Sequence, residues 1–264
     1  MTFTLMPYYG IPFRSIGQKR RKHMDLEQLL DQSRPFFSWL VDWYNNRPTA
    51  VLEQIVVETG GGPAGTAVLA VDVTAGFCHQ GALASDRVAR IVPPIVRLFT
   101  RAHALGVRHF ILPQDTHSED AVEFESFPPH CVRGTDESVT VPELMELPFS
   151  GLYLILEKDS ISSNLGTDLG PWLDAHPEVT TFLVTGDCTD FCVYQLAMYL
   201  RLRANARHLP DVRVVVSIDS VDTFHIPVDV AQEIGAMPHD ADLLHLVFLY
   251  SMAQNGVEIV AEVR

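Results

Sequence analysis

Residues 180–193, TTFLVTGDCTDFCV, carry the pattern that decides the fold. Residues 180–185 are apolar or β-branched at nearly every position, which is typical of a strand buried on both faces. Gly186 begins a tight turn, and Thr189 is a suitable N-cap for a helix that continues to Ala206. The stretch therefore predicts a strand that passes through a short turn into a helix.

The same alternation of strand and helix extends over the chain from residue 66 onward. Short runs rich in Val, Ile and Leu predict strands at residues 67–73, 107–113, 152–156, 180–185, 212–218 and 257–260. Helical spacing of apolar residues predicts helices at residues 86–105, 165–176, 189–206 and 228–253. This order predicts an α/β protein with a doubly wound, mostly parallel six-stranded sheet and helices on both faces.

Residues 1–65 do not follow this alternation and are predicted to form an N-terminal extension. Residues 24–46 have helical apolar spacing with an expected break near Pro35, and residues 58–65 form a glycine-rich connector. We expect the extension to pack on, or to swap between, neighbouring domains. The predicted organisation is an extension at residues 1–65 and an α/β domain at residues 66–264, assembled as a homo-oligomer.

Composition and charge limit the classes of partner. Of the 264 residues, 47% are apolar and 20% are charged, which excludes intrinsic disorder. The formal net charge of −14 disfavours binding to nucleic acid or to anionic membranes. Apolar runs such as residues 243–250 are too short to cross a bilayer, and the N-terminus lacks the order of a signal peptide. We therefore expect a soluble cytoplasmic protein.

Polar residues with catalytic potential follow four of the predicted strands. They are Asp72, the pair Asp115 and His117, Lys158, and the segment from Cys188 to Cys192. Because ligands of doubly wound sheets bind beyond the carboxyl ends of the strands, these side chains are expected to meet. Lys158 is also the only lysine after Lys22 in a chain that otherwise uses arginine.

Cys192 is the candidate nucleophile, because the first turn of a helix favours thiolate and its free N–H groups could hold an oxyanion. Asp72 would accept the thiol proton, and Lys158 would balance the charges. Each residue also has a structural interpretation, with Cys192 as a small buried side chain, Asp72 as a turn or cap residue and Lys158 as a surface residue. A redox pair of Cys188 and Cys192 is disfavoured, because the spacing is not C-x-x-C.

Asp115 and His117 form a D-x-H pair whose side chains project to one side of an extended segment. His130, after two prolines, could supply a third ligand. Two imidazoles and one carboxylate leave open positions on a divalent metal ion, with zinc as the first choice and iron or manganese as alternatives. A D-x-H pair is also common without a metal, so a structural role for the three residues stays open.

Several segments of this chain match motifs of a known superfamily. They are VDVTAGFC (71–78), QDTH (114–117), FPPHCVRGTDES (127–138), EKDS (157–160), GDCTDFCV (186–193), SVDTFHIP (220–227) and GAMPHDADLLHLVFLY (235–250). The H-C-V-x-G-T and T-D-x-C-V elements are specific in this order and spacing. The chain resembles the cysteine hydrolases that include nicotinamidases and isochorismatase-like hydrolases, most closely the plant-type nicotinamidases.

This resemblance implies an amidohydrolase that converts nicotinamide to nicotinate and ammonia through a thioester. It implies that Cys192 is the nucleophile, that Asp72 is the proton shuttle and that Lys158 stabilises the pair. It also implies an oxyanion hole made by the backbone N–H groups of Cys188 and Cys192, with a cis peptide bond between Asp187 and Cys188.

The resemblance further implies a metal site and an aromatic substrate pocket. Asp115, His117 and His130 match the metal ligands of the nicotinamidases, whose ion binds the pyridine nitrogen of the substrate. Phe77 and Phe127 match aromatic residues that flank the ring, although many relatives have Trp in place of Phe127.

Two departures from the family pattern leave the substrate open. Residues 74–77 read TAGF where many relatives have Q-N-D-F, and residues 159–164 differ from the usual D-S-Y-S-A-F. The alternative substrate is therefore another small amide or a carbamoyl compound. Isochorismatase itself lacks the nucleophilic cysteine, and a silent scaffold protein would be expected to lose one of Asp72, Lys158 and Cys192.

Overall fold

A computed structural model describes residues 24–58 and 60–264, and its centre is a sheet of six strands. The strands are β1 (Thr66–Val71), β2 (His109–Asp115), β3 (Tyr153–Lys158), β4 (Thr181–Gly186), β5 (Arg213–Val221) and β6 (Glu258–Val260). They lie in the order β3-β2-β1-β4-β5-β6, and all neighbours are parallel. The predicted doubly wound sheet is confirmed, and its switch point lies between β1 and β4.

Ten α-helices surround or precede the sheet in the described part of the chain. They are α1 (Leu26–Asn45), α2 (Leu52–Glu58), α3 (Ala75–Cys78), α4 (Asp86–Ala89), α5 (Val92–Ala104), α6 (Pro142–Met145), α7 (Leu169–Ala175), α8 (Cys192–Ala206), α9 (Val228–Ile234) and α10 (Ala241–Gln254). Short 3-10 helices lie at Gly62–Gly65, Val122–Glu125, Asp136–Ser138 and Ser150–Leu152. None of the helices in these ranges is long and apolar enough to cross a membrane.

Successive residues of the central strands point to opposite faces of the sheet, and both faces are covered by helices. Leu69 of β1 packs in one hydrophobic cluster with Leu196 of α8, whereas Val68 packs in a second cluster with Ile95 and Phe99 of α5. All six residues of β1 are buried. This burial explains why the sequence shows continuous apolar runs at the central strands instead of strict alternation.

The N-terminal part of the chain divides at a different point from the sequence-based boundary at residue 65. One compact unit ends at Trp39, and the other extends from Leu40 to Arg264. The larger unit includes residues 40–58 because Leu40 and Leu52 are fully buried and Ala50 forms a parallel bridge with Val263. Residues 1–23 of the predicted extension, and Thr59 in its connector, lie outside the described residues.

Three details of the predicted helices differ in the structure. The expected break at Pro35 is wrong, because α1 continues through this residue at the cost of one backbone hydrogen bond. The helix predicted at residues 86–105 is two helices, since Pro93 and Pro94 suit the first turn of a new helix. The helix predicted at residues 228–253 also divides, because Gly235 ends α9 with a left-handed backbone (φ 72°).

Candidate active site

Four ionisable side chains form a row along the carboxyl edge of the sheet. Lys158 ends β3, Asp115 ends β2, Asp72 follows β1 and Asp187 follows β4. These four strands are consecutive neighbours in the sheet, so the row crosses the switch point between β1 and β4. Cys192, the first residue of α8, adds a thiol to the same cavity as Asp72.

Lys158 connects the members of this row. Its buried Nζ lies 2.8 Å from Oδ2 of Asp72, forms an ion pair with Oδ1 of Asp115 and lies 3.6 Å from Sγ of Cys192. The backbone carbonyl of Ser160 accepts a further hydrogen bond from Nζ at 3.2 Å. The structure therefore brings together the thiol, the carboxyl group and the ammonium group that the sequence assigned to one site.

Burial and neighbouring charges set the protonation of Asp72 and Lys158. Burial and the Asp115 carboxylate raise the pKa of Asp72 to about 6, although the Lys158 ammonium opposes them. Burial alone would favour the neutral amine, but the carboxylates of Asp115 and Asp72 raise the pKa of Lys158 well above its ordinary value. Asp72 thus exchanges a proton near neutral pH while Lys158 stays charged.

The thiol of Cys192 is protonated in the resting site. Burial raises the pKa of Cys192 well above its ordinary value, although the Lys158 ammonium acts in the opposite direction. This direction is opposite to the thiolate expected at the start of the helix, because desolvation of the thiolate outweighs the Lys158 ammonium. A base is required to remove the thiol proton, and ligand atoms of Asp72 and Cys192 lie within 4.8 Å of each other.

The turn between β4 and α8 approaches β1 closely and leaves two backbone N–H groups free. A Cβ atom on Gly186 would lie 2.0 Å from the carbonyl oxygen of Val71, so only glycine fits there. The peptide bond between Asp187 and Cys188 is cis, as the resemblance implied. Within the described residues, the N–H groups of Cys188 and Cys192 have no backbone or side-chain acceptor.

Thr189 does not cap α8, so this prediction is wrong. The N-cap residue is Phe191, which has no side-chain capping bond. The Thr189 hydroxyl instead hydrogen-bonds Nδ1 of the buried His245 at 2.8 Å, and its N–H donates to the carbonyl of Asp222. These bonds attach the turn to α10 and to the segment after β5.

Asp115, His117 and His130 converge as the sequence predicted. All three are buried, and their ligand atoms lie within 4.8 Å of one another. Nε2 of His117 and Nε2 of His130 lie 3.5 Å and 3.8 Å from Oδ2 of Asp115. Oδ2 faces the two imidazoles, while Oδ1 of the same carboxyl group contacts Lys158.

The hydrogen bonds around the two imidazoles fit a divalent metal ion. Nδ1 of His130 donates to the carbonyl of Pro128 at 2.8 Å, and Nδ1 of His117 donates to Asp159 at 2.9 Å. Both Nε2 lone pairs therefore face Asp115, and Nε2 of His117 is buried with no hydrogen-bond partner in the described chain. A hydrogen-bond acceptor at Nδ1, such as Asp159 or the Pro128 carbonyl, is typical of metal-ligating histidines.

A partly open cavity connects this row of side chains with an aromatic wall. Phe77 and Phe127, both predicted from the resemblance, line it. Phe191 and Phe224 also line it, and neither was predicted. Phe127 packs edge-on against Phe191 at 6.0 Å, and the rings of Phe191 and Phe224 are nearly parallel. The walls therefore suit a small planar ring.

Phe224 is held by a histidine outside the cavity. The imidazole of His239 stacks on Phe224 at 3.9 Å, and its nitrogens bond the Phe224 carbonyl and Oδ2 of Asp190, each at 2.8 Å. Phe224 and His239 lie within two of the family motifs, but no local pattern predicts that the two segments meet. Asp190, inside the T-D-x-C-V element, is the residue that connects them to the turn between β4 and α8.

A doubly wound sheet with a buried thiol, carboxyl group and ammonium group at its switch point is the arrangement expected of a hydrolase of the cysteine type. Comparison with known families agrees with this class. Residues 66–224 match the isochorismatase domain. The chain therefore belongs to the isochorismatase domain family, as the sequence resemblance predicted.

Individual relatives include enzymes named for amide substrates. Nicotinamidase 1 of Arabidopsis thaliana is 30% identical over 210 residues, which cover 73% of this chain and 84% of that protein. N-carbamoylsarcosine amidase from Thermoplasma acidophilum is 25% identical, with a TM-score of 0.51 over 65% of this chain and 94% of that chain. Pyrazinamidase of Pyrococcus horikoshii, solved in complex with zinc, shares the fold at 23% identity, with a TM-score of 0.56 over 74% and 98% of the two chains.

Proposed function

We propose that the protein hydrolyses nicotinamide to nicotinate and ammonia. This proposal rests on one observation, which is that two groups of side chains meet at one aromatic cavity. Asp72, Lys158 and Cys192 supply the chemistry of amide cleavage, and Asp115 belongs both to the row that contacts Lys158 and to the cluster with two imidazoles. A pyridine carboxamide has a ring for the aromatic walls, a nitrogen lone pair for a metal and an amide for the thiol.

The reaction would begin when Sγ of Cys192 attacks the carboxamide carbon while its proton passes to Asp72. The C–N bond then breaks as Asp72 returns this proton to the nitrogen, and ammonia leaves a thioester on Cys192. A water molecule gives a proton to Asp72 as its oxygen attacks the thioester, and the C–S bond breaks. The thiolate recovers the proton from Asp72. A carboxyl group with a pKa of about 6 suits both directions of transfer at neutral pH.

Two further features support this sequence of steps. The free N–H groups of Cys188 and Cys192 are available to hold the oxyanion of each tetrahedral intermediate. Lys158 keeps its charge throughout and offsets the negative charge of Asp72 and Asp115.

The donors for a metal ion are Asp115, His117 and His130, and zinc is the proposed ion, with iron or manganese as alternatives. The pyrazinamidase of the same fold that was solved with zinc supports this choice. When bound, the ion would supply a Lewis acid for the pyridine nitrogen of the substrate. Asp159 and the carbonyl of Pro128 would orient the two imidazoles.

A second candidate substrate is another small amide or a carbamoyl compound cleaved by the same residues. The similarity to N-carbamoylsarcosine amidase favours it, as do the departures at residues 74–77 and 159–164. A cytoplasmic location, homo-oligomeric assembly and interaction of the N-terminal extension with neighbouring domains stay predictions from the sequence.

An ammonia-release assay with nicotinamide, pyrazinamide, ureido compounds and simple aliphatic amides tests the proposal. We expect the highest kcat/KM on nicotinamide or pyrazinamide, and loss of turnover in Cys192→Ala. Preference for a ureido or carbamoyl compound would replace the first candidate by the second. Release of ammonia by Cys192→Ala at the wild-type rate would remove the thiol from the mechanism.

A further inference from the structure

The row of ionisable side chains at the sheet edge contains three carboxyl groups, and Lys158 contacts only two of them. Lys158 reaches Asp115 and Asp72, which are the next two members of the row. Asp187, on the far side of Asp72 from Lys158, has no ion pair among the described residues. The proposed function uses the first three of these side chains and leaves Asp187 without a role.

Asp187 stands directly beside Asp72. Val71 and Gly186 are register partners at the ends of β1 and β4, and Asp72 and Asp187 are the residues that follow them. The N–H of Asp187 donates to the carbonyl of Val71 at 3.0 Å, which keeps the two chain segments together. Both aspartates line the catalytic cavity. A substrate nitrogen that reaches Asp72 would therefore come close to Asp187 as well.

The side chain of Asp187 is buried without a strong partner. Asp187 is 0% exposed, and its Oδ1 has no hydrogen-bond partner within the described chain. Oδ2 receives a single weak contact from the thiol of Cys188 at 3.5 Å. Burying a polar group without partners is unfavourable, so such a group at a binding cavity indicates that a ligand supplies the missing bond.

The electrostatics of Asp187 agree with a hydrogen-bonding role. Burial and the neighbouring Asp72 raise the pKa of Asp187 well above its ordinary value. The neutral carboxyl group keeps one carbonyl oxygen that accepts an N–H bond. A second base for the thiol of Cys192 would instead have to be ionised, so Asp187 does not duplicate Asp72.

We propose that Asp187 is a specificity-determining residue that accepts a hydrogen bond from the amide nitrogen of the substrate and so favours amides over esters of the same acid. This inference rests on the proposed amide hydrolysis at Cys192. A primary amide offers two N–H groups at the scissile nitrogen, one for Asp72 and one for Asp187. An ester of the same acid has the same ring and forms the same thioester, but its leaving group has no N–H.

Nicotinamide and methyl nicotinate form a matched pair of substrates for the test. The full chain is compared with Asp187→Leu, which keeps the branching of the side chain but has no acceptor, and with Asp187→Asn, which keeps a carbonyl oxygen. We expect Asp187→Leu to lower the ratio of kcat/KM for the amide to kcat/KM for the ester by about tenfold or more, the effect of losing one substrate hydrogen bond in a buried site. Asp187→Asn should retain most of the wild-type ratio.

The outcomes separate this inference from the proposed function. An equal loss on both substrates in Asp187→Leu, or an unchanged ratio, overturns the role of Asp187, and the ester rate reports whether the variant is folded and active. A wild type that cleaves another amide but not nicotinamide overturns the proposed substrate alone, and the ratio is then measured on that amide and its methyl ester. A wild type that hydrolyses no amide overturns both.

Discussion

Replacing Lys158 by methionine is expected to destabilise the fold and to change the acid limb of the pH profile. The ammonium is fully buried and contacts two buried carboxyl groups, Asp72 and Asp115. Removing one partner of a buried ion pair costs about 3–5 kcal/mol, because the remaining charge loses its compensation. For a domain of this size, at about 2–4 °C per kcal/mol, the midpoint of thermal unfolding should fall by roughly 6–20 °C.

Replacing Lys158 by methionine should also shift the pH dependence of kcat/KM toward higher pH. Lys158 lowers the pKa of Asp72, which burial and Asp115 raise to about 6. Without the ammonium this pKa should rise further, so residual kcat/KM in Lys158→Met should require a higher pH than in the wild type. Stability is measured by urea unfolding with chelator present, so that metal binding does not offset the lost charge, and ammonia release is measured over a series of pH values with the metal supplied.

A double variant isolates the cause. Adding Asp72→Asn to Lys158→Met removes one of the two uncompensated carboxylates, so part of the lost free energy of unfolding should return. A single variant within about 1 kcal/mol of wild type, which is the size of a surface pair, would refute the buried ion pair. Simple addition of the two single-variant effects would refute the coupling between Asp72 and Lys158.

The remaining predictions concern the thiol, the base and the metal donors. Cys192→Ala should lower kcat by at least about 10³-fold. Cys188→Ser should lower kcat much less, because only the backbone N–H of residue 188 is required. Equal losses of ammonia release in the two variants would favour a redox pair. The kcat/KM of wild type should rise with pH through about 6, since Asp72 must be ionised to accept the thiol proton. A flat profile from about one pH unit below this value to about one unit above it would contradict this assignment. His117→Ala should abolish metal retention and Asp159→Asn should weaken metal affinity by about 10–100-fold, measured by metal analysis after dialysis; full activity of metal-free wild type would remove the metal from the reaction.

Much of the site follows from the order of strands in the sequence. Asp72, Asp115 and Lys158 each follow an apolar run, and parallel strands bring their carboxyl ends to one edge. The spacing of residues along the chain was therefore enough to predict that these side chains meet Cys192. The role of the Cys188 N–H could be predicted only from the family motifs, because residue types along the chain do not show which backbone N–H groups are free.

What the sequence did not provide depends on contacts between distant segments. Thr189 has the composition of an N-cap, but its hydroxyl bonds His245, which lies 56 positions further along the chain. Phe224 lines the cavity because His239 stacks on it, and no local pattern predicts that pair. Asp187 resembles any polar turn residue until the structure shows that it is buried and that its Oδ1 has no hydrogen-bond partner in the described chain.

The single lysine of the α/β domain is explained by the shape of its site. Nζ of Lys158 contacts four groups: Asp72, Asp115, the carbonyl of Ser160 and the thiol of Cys192. An ammonium directs three N–H groups tetrahedrally and suits such a cluster, whereas the planar guanidinium of arginine directs its donors in one plane and needs more space. A chain that otherwise uses arginine therefore keeps lysine at this position. Lys158→Arg preserves the charge but replaces the tetrahedral ammonium by a planar guanidinium. We therefore expect Lys158→Arg to lack the activity that is also lost in Lys158→Met. Wild-type kcat/KM in Lys158→Arg would show that the charge alone suffices.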